Sequence, residues 1–247
     1  MISIIIPCLN EGWYIDKLLE RLRQQTYQDF EVILLDSNSS DNTLEVARGF
    51  VEQLPLTIIE HTPRGVAHAR NLGAAQAKGE WLLFLDADND FPNDFIAKML
   101  AEAQARGLTL TTPRFISRSP KLVHRAGVRL SFWYERIFEL TKHPIVGGFC
   151  ILVRRSIHQS TRGFDPQINP GEDLDYAAQA IAAGARFRFA TSTYLMFSMR
   201  RFEGEGLLRL ALKNLYYELY RRTHGYNVRK QIVEYEFGKH GRTKELE

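Results

Sequence analysis

Asp86, Asp88 and Asp90 stand at alternate positions directly behind the apolar run WLLFL of residues 81–85. In an extended chain Asp86 and Asp88 project to the same side, because strand side chains alternate with period two. Two carboxylates converging around Ala87 at a strand end form a hard-oxygen site for Mn²⁺ or Mg²⁺. Such an ion keeps waters and takes its remaining ligands from substrate phosphates. The run does not make a calcium loop of the EF-hand type, whose sixth position would be Phe91 in place of Gly and whose twelfth would be Ala97 in place of Glu. A phosphatase of the aspartyl-nucleophile type would want Thr or Val where Asp90 stands. The blander alternative is an acidic cap on the next helix, a place Asn93 or Asp94 already fills.

An acid pair at a strand end needs a sheet to hold it. Residues 3–7, 31–36, 56–60 and 81–86 are short runs rich in Ile, Leu and Val that read as buried strands. Between them, residues 14–25 place Ile15, Leu18, Leu19 and Leu22 at helical spacing. Residues 41–53 do the same with Leu44, Val46, Ala47 and Phe50, and Asn42 with Glu45 offers a capping box. Helices over 66–78, rich in alanine, and 93–106 complete four strand–helix repeats. That alternation predicts an α/β fold with a mostly parallel, nucleotide-binding sheet and right-handed crossovers. Ligands of such sheets lie beyond the carboxyl ends of the strands. Pro7, Asn10 and Glu11, then Asp36 and Ser37, then residues 61–64, then Asp86 and Asp88 all fall there. Beyond residue 107 the pattern loosens to a strand over 147–154, a helix over 172–183 and one or two strands within 187–198.

The chain of 247 residues carries 32 Lys+Arg against 29 Asp+Glu, a net charge of +3. That balance argues against a nucleic-acid partner, which draws a concentrated basic excess. Cys8 and Cys150 sit in apolar strand-like runs at no metal-ligand spacing, so buried free thiols in a reducing, cytoplasmic setting are expected. The start MISIIIPCLN has no basic leader region, and no apolar run approaches the ~18 residues of a membrane span.

Five blocks then arrive in order: IIIPCLNEG (4–12), EVILLDSNSSDNT (31–43), RGVAHARNLGAAQAKGEWLLFLDAD (64–88), GGFCILVRR (147–155) and GFDPQINPGEDLDYAAQAIAAG (163–184). Together they resemble the inverting family 2 glycosyltransferases of GT-A fold, over about residues 1–203. The resemblance implies a nucleotide-diphosphate-sugar donor, a Mn²⁺ or Mg²⁺ ion at Asp86 and Asp88, and a saccharide or lipid-linked acceptor. It assigns Pro7, Asn10, Glu11 and Asp36 to the nucleoside pocket. Arg64 and the Arg70-Asn71 pair go to the diphosphate, which a guanidinium suits through its forked donors. Gly147 and Gly148 would let backbone approach the sugars. Asp173 would take the acceptor hydroxyl's proton while Glu172 orients the acceptor. Asp175 is left to complement the helix dipole.

The chain also departs from the family pattern. Ser37 replaces a second acid, which leaves UDP-, GDP- and dTDP-sugars all open, and Gln179 stands where an Arg is common. No His follows the last strand. The run Ser198-Met199-Arg200-Arg201 matches relatives in which arginines offset diphosphate charge in its place, so Arg200 and Arg201 join the donor-binding set. Two other functions remain in view. A sugar-nucleotide pyrophosphorylase would want a Gly-rich, basic N-terminal loop, and a nucleotide-sugar-binding module without catalysis would have lost one of Asp86, Asp88 or Asp173.

Residues 204–247 form a helical extension. Over 205–222 its apolar face of Leu207, Leu208, Leu210, Ala211, Leu212, Leu215, Tyr216, Leu219 and Tyr220 is expected to pack on the domain or a second subunit. The basic Arg209, Lys213, Arg221 and Arg222 make peripheral contact with an anionic membrane the alternative.

Overall fold

The computed structural model describes residues 1–60, 62–196 and 207–224. Strands β1 (Ile2–Cys8), β2 (Phe30–Asp36), β3 (Leu56–Ile59) and β4 (Trp81–Leu85) alternate with helices α1 (Ile15–Arg23), α2 (Thr43–Arg48) and α3 (Val66–Gln76). These four strands pair in parallel, in the order β3-β2-β1-β4. The next elements are α4 (Phe95–Ala105), β5 (Leu110–Ile116), α5 (Leu122–Ile137), β6 (Cys150–Arg154), α6 (Arg155–Gln159), α7 (Glu172–Ala182), β7 (Phe187–Met196) and α8 (Leu207–His224). The sheet continues β4-β6-β5-β7, with β6 antiparallel to both neighbours and β5 parallel to β7.

Alternation sorts the apolar residues into two cores. Ile2, Ile4, Val32, Leu34, Leu83 and Leu85 meet α1 and α4 on one face. Ile5, Ile33, Leu35, Leu82 and Phe84 meet α3, α5 and α7 on the other. Each such side chain contributes about 1.5–3 kcal/mol on burial. The alanine-rich α3 lies close on its sheet: a Cβ at Gly73 would come within 2.5 Å of Ile5 Cγ2. That proximity buries Arg70, which is 2% exposed.

Several expectations need correction. The helix foreseen over 41–53 is only Thr43–Arg48. Asn42 makes no side-chain cap, and the Asp41 carboxylate accepts the Thr43 amide at 3.1 Å. The extended geometry foreseen for Asp86–Asp88 is not formed. Strand β4 stops at Leu85, and the chain turns so that the Asn89 amide donates to the Asp86 carbonyl. Strand β5 and helix α5 lie where no regular pattern was read.

Helix α8 does not lay its described apolar residues on the domain, the first of the places expected for them. Among its described side chains, Tyr217, Glu218 and Arg221 are buried, and Leu212, Leu215, Tyr216 and Leu219 are exposed. The Tyr217 hydroxyl donates to the Pro170 carbonyl, and its ring fills the space a Cβ at Gly171 would need. A hydrogen-bonding anchor thus overrides the apolar stripe in deciding which side packs.

Candidate active site

The carboxyl ends of β1, β2 and β4 open onto one edge, as the parallel topology requires. At β1, Pro7 is buried, Asn10 adopts a left-handed φ of 57°, and Glu11 is 8% exposed. The loop is tied to the one after β2. The Asn10 amide donates to Ser39 Oγ at 2.9 Å, the Ser40 amide to Asn10 Oδ1 at 2.8 Å, and the Glu11 amide to Thr43 Oγ1 at 2.9 Å. Asp36 ends β2 fully buried. Its Oδ2 accepts the Ser39 amide at 2.9 Å, and its Oδ1 has no hydrogen-bond partner among the described residues. A buried carboxylate oxygen left this way is an acceptor site for an incoming donor group. Arg64 is exposed on the loop leading into α3.

Arg70 is the hub. From α3, Nη1 donates to Glu172 Oε1 at 3.0 Å, and Nη2 donates to Asp86 Oδ1 at 3.0 Å and to the Gly148 carbonyl at 2.7 Å. Its guanidinium also lies 5.1 Å from the centre of the Phe164 ring. In this arrangement both terminal nitrogens of Arg70 hold the protein's own acceptors, so the guanidinium ties Asp86, Glu172 and Gly148 together. Its neighbour Asn71 clasps the loop before α7. Nδ2 donates to the Phe164 carbonyl at 2.7 Å, and Oδ1 accepts the Phe164 amide at 2.9 Å.

Asp173, at the N-terminus of α7, accepts the Gly148 amide on Oδ2 at 2.6 Å and the Leu174 amide on Oδ1 at 2.8 Å. A Cβ at Gly148 would stand 2.8 Å from Asp173 Oδ2 and 3.1 Å from Arg70 Nη2, and one at Gly147 would fall 2.1 Å from the Phe149 ring. Both glycines are therefore required by close packing. Burial pushes the Glu172 carboxyl up, to about 7. The Asp173 charge pushes the same way and Arg70 opposes. Asp175 accepts Gln179 Nε2 at 2.7 Å and lies 4.0 Å from Arg162 Nη2.

Asp86 is held by the Phe149 carbonyl through its amide, at 3.0 Å, and its side chain is 31% exposed. Ala87 is buried between it and the half-buried Asp88. Asp90 belongs elsewhere. It accepts Arg21 Nε at 2.7 Å, and its carbonyl accepts the Met196 amide at 2.8 Å. No group of three or more His, Cys, Asp or Glu able to hold a metal occurs among the described residues. The donor set at this edge is therefore two hard carboxylates. A pair of this kind would suit an ion that completes its shell with water and phosphate oxygens, and not a closed protein cage. Arg200 and Arg201 lie outside the described residues.

The sequence model of glycosyl transferase family 2 matches residues 3–162. The chain belongs to this family. An uncharacterized glycosyltransferase of Haemophilus influenzae is 42% identical over 104 residues, 40% of this chain and 33% of that relative. A PGL/p-HBAD biosynthesis glycosyltransferase of Mycobacterium bovis is 41% identical over 104 residues, 41% of each chain. Among solved structures, a mannosyltransferase of Pyrobaculum calidifontis in complex with GDP-Man and Mn²⁺ superposes with TM-score 0.66 at 22% identity, over 87% of this chain and 64% of that one. TarS of S. aureus in complex with UDP gives TM-score 0.62 at 21% identity, over 82% and 62%. The fold is thus the GT-A fold. This family 2 chain spans about a third to two fifths of those curated relatives and under two thirds of those solved chains.

Two residues of this family 2 site carry no motif. Glu135, on α5, has a sealed Oε2 without a partner among the described residues. Burial first, and then the charge on Asp173, hold its carboxyl well above the usual range. Tyr217, on α8, is raised to about 12, chiefly by burial, and lies within electrostatic reach of Asp173 and Glu172. Neither could be found in sequence, because α5 and α8 reach the site only through tertiary packing.

Proposed function

We propose that the chain transfers a sugar from a nucleotide-diphosphate-sugar donor to an acceptor hydroxyl with inversion at the anomeric carbon. The observation that carries this reading is Asp173 Oδ2. It is fixed by the Gly148 amide at 2.6 Å, beside the Arg70 hub that ties Glu172 to Asp86. Asp173 is half-buried, at a helix N-terminus, and as a carboxylate it would accept the proton of an attacking hydroxyl. As the acceptor oxygen bonds to the anomeric carbon, the bond to the diphosphate breaks and the proton passes to Asp173. Glu172 and Arg70 keep the acid in line, and Gly148 lets the backbone pass close enough for its amide to hold Asp173. Asp86 and Asp88 would hold Mn²⁺ or Mg²⁺, whose charge offsets that of the departing diphosphate. Pro7, Asn10, Glu11 and the unpartnered Asp36 Oδ1 line the edge where the nucleoside would lie. Arg64, exposed nearby in sequence, is the remaining described candidate for the phosphates. A cytoplasmic, reducing location accords with the buried free thiols Cys8 and Cys150.

Calorimetric titration of UDP, GDP and dTDP with and without Mn²⁺ tests the donor side. Tighter binding of one of them with metal is expected, and no metal effect on any of the three would overturn the reading. Replacing Asp173 by Asn should lower transfer by about 10²–10⁴-fold, the usual span of a general base, with diphosphate affinity within a few-fold of wild type. Loss of both together would make Asp173 a binding residue and not the base.

A further inference from the structure

Helix α5 has two unlike faces. His124, Val128 and Phe132 are buried against the domain. Leu122, Val123, Leu130, Trp133, Tyr134 and Ile137 are 40 to 71% exposed. At 3.6 residues per turn these six fall within an arc of about 120°. Arg125, Arg129 and Arg136 follow one border of the arc at helical spacing, and Lys121 and Lys142 flank its ends. The only acids between 119 and 142 are Glu135 and Glu139, and both turn inward. Glu135 Oε2 is sealed, and Glu139 is buried and accepts the Phe189 amide at 2.7 Å. Every strongly exposed charge of residues 119–142 is therefore positive. Trp133 adds an amphipathic ring with the Arg136 guanidinium 5.9 Å from its centre.

We propose that this face of α5 docks on an anionic lipid bilayer. The helix would lie along the headgroup level, with its apolar arc at the acyl boundary and its arginines among lipid phosphates. Charge decides between occupants. A second copy docking through the same face would offer the arginines no exposed acid, since Glu135 and Glu139 turn inward in it too, whereas an anionic surface complements them. Helix α8 does not cover the arc, since its own described apolar residues Leu212, Leu215, Tyr216 and Leu219 are also exposed. Just beyond α5, His143 lies within electrostatic reach of Arg221 and Glu218, so α8 adjoins the same end of α5. Glu135, on the inner side of α5, feels the Asp173 charge, so docking would set that carboxylate roughly one helix diameter, about 10 Å, from the lipid surface.

The test uses the full chain carrying Trp13→Phe, so that Trp133 is the exposed reporter while Trp81 stays buried. Vesicles of phosphatidylcholine with about 30 mol% phosphatidylglycerol are compared with phosphatidylcholine alone, at ~0.1 M and ~0.5 M NaCl. The chain should sediment with the anionic vesicles, with a blue-shifted tryptophan emission, and about tenfold less with the neutral ones or at high salt. The pairs Leu130→Glu with Ile137→Glu, and Arg125→Glu with Arg129→Glu, should each weaken that binding about tenfold or more while leaving the melting temperature unchanged. No sedimentation, or binding that both pairs leave intact, overturns the proposal. A vesicle-independent dimer dissolved by Leu130→Glu also overturns it, by giving the face to a second copy. Neither donor nor acceptor is present, so failure here leaves the role of Asp173 standing.

Discussion

Removing the Arg70 side chain leaves Asp86 Oδ1, Glu172 Oε1 and the Gly148 carbonyl facing one another with no cation between them. Because Arg70 is 2% exposed, Arg70→Ala should cost about 3–5 kcal/mol, the usual penalty for stranding buried charge. For a chain of this size that is a fall of about 10 °C in melting temperature, readable in a thermal melt. Glu172 adds a pH signature. Its carboxyl holds a proton up to about 7 in the folded chain, against 4.5 when unfolded. The extra stability is complete below pH 4.5 and drains away as pH rises through 7, at a slope on the order of 1 kcal/mol per pH unit. Chemical denaturation from pH 5 to 8 should therefore show wild type losing stability relative to Glu172→Gln. A difference that stays flat across that range would remove burial as the dominant influence on Glu172.

At the scale of elements, the site depends on how closely the loop before β6 meets the first turn of α7. The Gly148 amide and carbonyl serve Asp173 and Arg70 respectively, so a methyl there pushes the two side chains apart. Gly148→Ala should lower kcat by about 10²-fold, as displacements near 1 Å do, with donor binding changed far less. Steady-state kinetics beside calorimetry would separate the two effects. The antiparallel entry of β6 makes this contact. Cys150 pairs with Leu85, which brings residues 147–149 alongside Asp86. The apolar run of β6 was plain in sequence. Its direction was not, because a buried strand reads the same whichever way its neighbours run.

Across the whole molecule, α5 and α8 bring Glu135 and Tyr217 within electrostatic reach of Asp173, and neither helix belongs to the motif-bearing strands. Tyr217 is the pin. It is 8% exposed, bonded to the Pro170 carbonyl and packed on Gly171, immediately before Glu172. Tyr217→Ala should cost about 3 kcal/mol, lowering the melting temperature by roughly 6–12 °C, and should reduce transfer more than Tyr217→Phe does. Equal activity in the two variants would assign the effect to the hydroxyl and not to ring packing.

The amino-acid sequence by itself determined the parallel half of the sheet. Buried β-branched runs alternating with helical periods admit few other solutions, and their ends put Asp36, Asp86 and Asp88 at one edge. It also marked Glu172 and Asp173, whose family pattern is local. Only the tertiary structure showed which protein groups Arg70 holds. Its partners come from α7, the end of β4 and the loop before β6, which sequence spacing does not bring together. Likewise the apolar stripe of α8 was legible, but the side it turns to solvent was settled by one tyrosine hydroxyl and the close approach at Gly171. The pair Asp86 and Asp88 kept its place but lost its extended geometry, since the chain turns as soon as the β6 pairing that straightens β4 ends.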